Sequence, residues 1–406
     1  MKISSPLQNE VIKKLQWLDE TSLRRQQMIV TPLQNGRCLV DGRELYDFSS
    51  NDYLGFSQHP NVIAAAIDAI QEYGVGSRAS MLVSGWSPVH QLLKERICEL
   101  EQTESALLFS SGYAACQGVI STIVDADDIV FCERSNHACL VDGCRLSNAK
   151  FRVYRSYRLD VLERELKKSA SFPRRWIVTE TVFGMDATIA PMDELIELAE
   201  KYDAYLICDE AHASGIYGPK GAGIISEFYD DVTIPVEVVD RRVPLRIGTL
   251  SKAFGSQGGF VTGCSEIIEL LWNRAKTAMF STALSIPACA AAAKAIQLLL
   301  DDERQLPLGL RLKAAAIRHH LYEDKFAVFG EENNPIIPVL IEDPELVLKM
   351  AQNLKQAGFL VAAIRPPTVP RGTSRLRISL NANFSMDDLK LLQKAMNNAR
   401  DGKATQ

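Results

Sequence analysis

The chain has 406 residues, 47% of them hydrophobic and 23% charged, with a formal net charge of −5. That length allows a large core and two domains, the composition is that of a soluble globular protein, and the acidic balance excludes the basic stripe of a nucleic-acid binder. The Met1–Pro6 stretch has no apolar core of signal-peptide length and no run of about eighteen uncharged apolar residues occurs; the nine cysteines form no C-x-x-C pair, so the expectations are a cytoplasmic location, reduced core thiols, no disulfide framework and no metal site.

Along the chain, residues Leu7 to Met28 show helical periodicity with one charged face, followed by extended sequence and the turn Asp41-Gly42. Turn formers in Phe48-Ser49-Ser50-Asn51-Asp52-Tyr53-Leu54-Gly55 come next. From there to about residue 285 short apolar runs alternate with amphipathic segments, the pattern of a mainly parallel α/β sheet. The predicted strands are Ala106–Phe109, Ile129–Cys132, Trp176–Thr179, Tyr205–Cys208, Arg246–Thr249 and Phe260–Thr262. Val89, Leu92, Leu93, Ile97 and Leu100 fall on one helical face, as do Met192, Leu195, Leu198 and Ala199, and packing is their first meaning. A connecting helix over Ile286–Leu300 leads into a smaller α+β region, with strands at Pro335–Ile341, Leu360–Ile364 and Ser374–Leu380 and a last helix capped by Ser385 and Asp388. The expected division is an N-terminal helix and arm over 1–45, a large α/β domain over 46–285, and a connecting helix with the small α+β domain over 286–406.

Two segments carry the chemistry. Asp209-Glu210-Ala211-His212 ends the apolar run Ala204–Cys208, which delivers a carboxylate to the C-terminal edge of a sheet, where ligand sites collect. Thr249-Leu250-Ser251-Lys252 ends another such run and precedes the glycine-rich turn Phe254–Gly259. Alone, Asp209 reads equally as a turn cap and Lys252 as a solvated surface charge. Together they supply a lysine able to hold an aldehyde as an imine and an aspartate able to keep a pyridine nitrogen protonated, the pairing that pyridoxal phosphate needs.

These segments, with Ser49–Gly55, Ser111-Gly112-Tyr113-Ala114-Ala115 and Ser135-Asn136-His137-Ala138, resemble the α-oxoamine synthases over most of the chain. The resemblance implies the pyridoxal-phosphate-dependent transferase fold type I, like aspartate aminotransferase, with a mainly parallel central sheet and a smaller α+β C-terminal domain. It implies that Lys252 binds the cofactor covalently and serves as catalytic base, that Asp209 meets the pyridine nitrogen, that His212 meets the phenolic oxygen and that His137 stacks on the ring and assists catalysis. Gly112 and Tyr113 would offer backbone donors to the phosphate, with Thr249 adding a hydroxyl and Ser281 and Thr282 reaching the phosphate of a neighbouring subunit in a homodimer. Several donors are needed, because a helix terminus contributes only about 0.3–1 kcal/mol to an anion and each hydrogen bond to a charged group about 1.5–3.

Within the family, Ile364–Pro370 followed by Gly372–Arg377 is most similar to the branch that condenses L-alanine with a pimeloyl thioester, on coenzyme A or an acyl carrier protein, to give 8-amino-7-oxononanoate for biotin biosynthesis. By that likeness Arg377 grips the amino-acid carboxylate through paired hydrogen bonds, Arg24 and Thr368 contact the acyl substrate, and Arg365 helps to offset its charge. Taken alone, Arg377 also suits an edge-strand charge and Arg24 a solvated helix face. Two stretches depart from the family pattern: Gly184 stands where many relatives carry a serine, and Tyr154–Arg158 replaces a frequent His-Asn-Asp. The alternatives are a family member with another amino acid or thioester, such as a glycine C-acetyltransferase, a noncatalytic partner subunit, which the retained Lys252 disfavours, and a nicotinamide dehydrogenase, which the missing G-x-G-x-x-G disfavours.

Overall fold

The structure is a computed structural model that describes residues 5–229, 233–303 and 305–401. The chain forms two units, the larger comprising Asn51–Gly184 with Thr188–Arg311 and the smaller comprising Met1–Ser50, Met185–Ala187 and Leu312–Gln406.

The larger unit is built on a seven-stranded sheet, ordered Ser105–Phe109, Gly259–Gly263, Leu245–Thr249, Tyr205–Asp209, Arg175–Glu180, Ile129–Glu133 and Lys150–Tyr154. Only Gly259–Gly263 runs against its neighbours; the other six strands point the same way. Four of them, Ser105–Phe109, Ile129–Glu133, Arg175–Glu180 and Leu245–Thr249, are buried at every residue. Apolar runs such as Ile129–Cys132 mark strands covered on both faces. The edge strand Lys150–Tyr154 has only Tyr154 buried, which is why apolar patterning misses it. A core of Leu107, Phe109, Val119, Ile120, Val130, Leu140, Val178, Ile207 and Ile247 joins the sheet to helices Gly112–Ile123 and Ala138–Leu146. Helix Pro88–Glu101 buries Val89, Leu93, Ile97 and Leu100, but Leu92 faces outward at 43% exposure. Helix Ile286–Leu300 belongs to this unit and packs on helices Pro60–Tyr73 and Pro88–Glu101.

Because six strands share one direction, their C-terminal ends open along one edge of the sheet. Ser111 and Gly112, His137, Glu180, Asp209 and Thr249 all sit at or just beyond those ends. Gly259 begins the antiparallel strand at the same edge, where a Cβ would lie 2.5 Å from the Ser111 carbonyl oxygen and 2.6 Å from the Gly112 nitrogen. A glycine is needed there because the helix start and this strand run backbone against backbone.

The smaller unit has two sheets. One orders Thr31–Pro32, Arg37–Val40, Arg43–Asp47 and Phe359–Leu360; the other orders Ile336–Glu342, Ser374–Ser379 and Ala362–Ile364. The expected single strand at Leu360–Ile364 is thus split between them. Asp41 at φ 51° and Gly42 at φ 75° make the tight turn between Arg37–Val40 and Arg43–Asp47, as a two-residue hairpin requires. Phe48 stacks on Phe384 at 4.2 Å and Tyr46 on Phe359 at 5.2 Å. Ser385 and Asp388 form the capping box of the last helix, Met386–Arg400. The N-terminal helix is shorter than its periodicity suggests, spanning Pro6–Glu20, and buries none of its residues. Arg365 donates from Nη1 to the Ser22 carbonyl just beyond it.

Candidate active site

Asp209 closes its strand level with Glu180 on the neighbouring one and is only 5% exposed. Its Oδ1 accepts from the Ala211 amide at 2.9 Å, and its Oδ2 lies 3.5 Å from the Cys116 thiol. Burial drives Glu180 up to about 8, with the like charge of Asp209 adding to the rise and Lys252 opposing it. At neutral pH Glu180 therefore keeps its proton. The half-buried Lys252, just beyond the strand Leu245–Thr249, belongs to the same electrostatic cluster. Sequence reasoning passed over Glu180, whose only signal is its position at the end of a buried strand.

His137 caps helix Ala138–Leu146, and its backbone N–H donates to Glu180 Oε1 at 2.6 Å. Its Nδ1 lies 2.9 Å from Cys139 Sγ. The Cys139 contact raises the His137 pKa, while Cys139 itself is pulled down to about 6, first by a hydrogen bond from Cys116 and then by His137. The residue is exposed, and its ring meets Tyr113 edge-on at 6.1 Å.

Gly112 opens helix Gly112–Ile123, with Ser111 Oγ accepting from the Ala114 amide at 3.1 Å. The first-turn amides of Gly112 and Tyr113 have no intrahelical acceptor and suit an anion. A Cβ on Gly112 would lie 3.3 Å from Thr249 Cβ and Oγ1, so the bare backbone keeps this corner open. Thr249 Oγ1 donates to the Gly258 carbonyl at 3.0 Å and lies 2.8 Å from Ser251 Oγ. The Tyr113 hydroxyl donates to Asp142, which pushes the phenol up to about 12 and keeps it neutral. Thr282 bridges antiparallel to Ser80, with the Ala283 amide on the Ala79 carbonyl at 3.0 Å. Ser281 and Thr282 are held there beside Phe280, which is 77% exposed.

His212 Nδ1 is 2.9 Å from the Tyr53 hydroxyl, whose proton goes to Asn51 Oδ1 at 3.2 Å. Sequence motifs held Tyr53 without assigning it this role. At the family's variable position, a Cβ on Gly184 would stand 2.1 Å from His212 Nε2. The missing serine thus does more than remove a hydroxyl: it leaves the space that the imidazole occupies. Glu210 turns inward, fully buried, and accepts from the Ile225 amide at 3.0 Å. Its pKa is raised to about 8 by burial and by Glu101.

In the smaller unit, Arg377 lies on the central strand of the three-stranded sheet, opposite Pro338 and Ala362, and is 4% exposed. That corrects the edge-strand alternative. Its Nη1 donates to Ser379 Oγ at 2.8 Å. Arg24 instead pairs with Asp19 at 2.6 Å, and it is Arg25 that reaches Thr368, with Nη2 donating to Oγ1 at 3.1 Å.

The larger unit has what a phosphorylated pyridine aldehyde would require: a buried carboxylate at Asp209, a lysine at 252, an imidazole at His137, and an open helix start beside the Thr249 hydroxyl. The donor set fits pyridoxal phosphate. Comparison with known proteins agrees. Residues 43–396 match the family described as aminotransferase class I and II. The chain is 41% identical over 392 residues, 96% of its own length and 97% of the relative's, to the 8-amino-7-oxononanoate synthase of Geobacter sulfurreducens. Among solved structures, the serine palmitoyltransferase of Sphingomonas wittichii matches with a TM-score of 0.90 and 27% identity, covering 98% of this chain and 99% of that one. A structure of SPT with PLP matches with a TM-score of 0.90 and 26% identity, over 98% and 99% of the two chains. The chain belongs to the aminotransferase class I and II family, in its α-oxoamine synthase group, with the type I fold of pyridoxal-phosphate-dependent transferases.

Proposed function

We propose that the protein condenses L-alanine with a pimeloyl thioester, releasing carbon dioxide and the free thiol and forming 8-amino-7-oxononanoate, the biotin precursor. The observation that carries this reading is the 41% identity over 96% of the chain to a synthase of that name, joined to a sheet edge bearing Asp209, His137, Thr249 and Lys252. When bound, pyridoxal phosphate supplies an electron sink for the carbanion formed at the amino acid's Cα.

The remaining work falls to the chain. Lys252 would hold the cofactor, and its amine would take the Cα proton as general base. Asp209 would accept the pyridine N–H, with the protonated Glu180 beside it. His137 would cover the ring face, and His212, with Tyr53 at 2.9 Å from its Nδ1, would meet the phenolic oxygen. Gly112, Tyr113 and Thr249 would take the phosphate. Arg377 is the proposed carboxylate anchor, its planar fork suited to two parallel hydrogen bonds. Arg24 and Thr368 are proposed for the acyl group, with Arg25 a further candidate because it is the arginine that touches Thr368.

A cytoplasmic homodimer completes the proposal, with Ser281 and Thr282 offered to the partner's phosphate. Two exposed apolar features support an association. Phe280 is 77% exposed directly beside this pair, and helix Pro6–Glu20 leaves Leu7 at 70%, Val11 at 45% and Trp17 at 49% exposure. A helix of 15 residues with nothing buried is marginal alone and gains stability when its apolar side is covered. The test is mass analysis of the product from alanine and pimeloyl-coenzyme A or pimeloyl carrier protein, run beside glycine, serine and shorter thioesters. Formation of 8-amino-7-oxononanoate supports the proposal, and turnover only with another pair replaces it.

A further inference from the structure

Cys116 and Cys139 are far apart in sequence and fit no metal-binding spacing, yet the packing of helix Gly112–Ile123 on helix Ala138–Leu146 brings them together beside the catalytic carboxylate. Cys116 Sγ, Cys139 Sγ and an Asp209 carboxylate oxygen all lie within 4.8 Å of one another. All three residues are buried, at 1%, 3% and 5% exposure. At the solvent side of this triad stands the exposed His137, its Nδ1 2.9 Å from Cys139 Sγ. Two thiols, a carboxylate and a neighbouring imidazole are the donors that select a borderline-soft, tetrahedral divalent cation over magnesium or calcium.

We infer that the cofactor-free protein binds a thiophilic divalent cation such as Zn2+ or Co2+ through Cys116, Cys139 and Asp209, and that this cation competes with pyridoxal phosphate for the Asp209 carboxylate. The competition follows from the charge at Asp209, which cannot both be neutralised by a dication and accept the pyridine N–H as a full carboxylate. Three ligands leave the fourth tetrahedral position to water. The cation is therefore an inhibitor that exchanges with the cofactor, and no resident structural metal is implied. The competition rests on the cofactor reading, whereas binding of the cation to the two thiols is independent of it.

Cobalt provides the probe. Full-length protein stripped of cofactor, kept anaerobic, titrated with CoCl2 and then desalted, is expected to retain one cobalt per chain with a thiolate-to-cobalt charge-transfer band and the strong visible bands of a tetrahedral site. The cofactor-loaded protein shows neither. At cobalt about a hundred times its own dissociation constant, competition raises the apparent dissociation constant of pyridoxal phosphate about a hundredfold. Adding 4′-deoxypyridoxine 5′-phosphate, which lacks the chelating aldehyde, bleaches the cobalt band in the unmutated protein. C116S and C139S each weaken cobalt binding by more than about tenfold, the loss that removal of even an outer partner of a metal ligand can bring. C98S and C264S, at the two half-buried thiols, retain it.

Absence of the charge-transfer band overturns the site, as does a band that survives in both C116S and C139S. Undiminished binding of cofactor by the cobalt-loaded protein overturns the competition. The bleaching experiment uses no variant, so a folding defect in C116S or C139S leaves that test in force. Failure of the alanine condensation with intact cobalt binding would strike the proposed reaction and leave this site standing.

Discussion

Replacing Asp209 with Asn removes one charge and almost nothing else, which makes it the sharpest probe of the site's electrostatics. The amide keeps the shape of the carboxylate, and its oxygen can still accept from the Ala211 amide, a contact of 2.9 Å in the native protein. What disappears is the charge-assisted partner proposed for the pyridine nitrogen. A hydrogen bond to a charged group is worth about 1.5–3 kcal/mol and a neutral one about 0.5–1.5. The difference of about 1–1.5 kcal/mol corresponds to cofactor binding weakened roughly 5- to 13-fold. A second effect runs the other way: the like charge that helps to push Glu180 up to about 8 is gone, so Glu180 titrates lower in the variant. A carboxyl raised in the folded state stabilises the fold less as pH rises through that window, because the folded protein then holds more protons than the unfolded one. D209N must therefore flatten the loss of stability with pH while weakening the cofactor. Absorbance titration with pyridoxal phosphate and thermal melts of the cofactor-free protein at several pH values measure the two. An affinity within twofold of the native protein, with an unchanged pH slope, would refute the assignment of Asp209 and its coupling to Glu180.

Gly184→Ser places a Cβ where the nearest atom of His212 is 2.1 Å away, so the ring has to move and the 2.9 Å contact with Tyr53 breaks. The hydrogen bond contributes about 1 kcal/mol and crowding costs about 1–3; a lower melting temperature and roughly tenfold weaker cofactor binding are expected, and an unchanged melt together with unchanged affinity contradicts this. Arg377→Lys retains the charge but loses the fork, so kcat/KM for alanine should fall by roughly 10- to 100-fold, equivalent to about 1.4–2.7 kcal/mol, through KM more than through kcat; equal kinetics would remove Arg377 from the carboxylate site. In the native protein, buried Glu180 and Glu210 are both raised to about 8 from 4.5, so stability falls between those values, with a slope of up to about 1.4 kcal/mol per pH unit for each group. Melts that rise steadily from pH 6 to pH 8 would contradict the protonated state of these two acids.

The large sheet was legible in the sequence because its central strands are covered on both faces and carry short apolar runs, Ile129–Cys132 and Leu206–Cys208 among them. Lys150–Tyr154 was not, since an edge strand with one buried residue carries little apolar signal. Asp209 and Lys252 were legible as residues following such runs. Their surroundings were not, because Glu180, Cys116 and Cys139 meet them only after three strands and two helices have packed. Arg377 appeared able to sit at an edge because no local pattern distinguishes a central strand of a three-stranded sheet from its borders; the register against Pro338 and Ala362 decides it. Likewise Arg24 and Arg25 are adjacent and alike, and only the folded chain shows that Arg24 turns to Asp19 and Arg25 to Thr368. Gly184 was visible as a departure, but its consequence depends on where the His212 ring lies.

The central claim is that Lys252 carries the cofactor. Borohydride treatment of the active, cofactor-loaded protein fixes the cofactor to the amine that holds it, and peptide mapping then locates the mass increment. The label is expected on Lys252, in step with the loss of turnover, and absent from Lys252→Ala. Full inactivation with the increment on another lysine, or a Lys252→Ala protein that keeps both its visible absorbance and its turnover, would contradict the account.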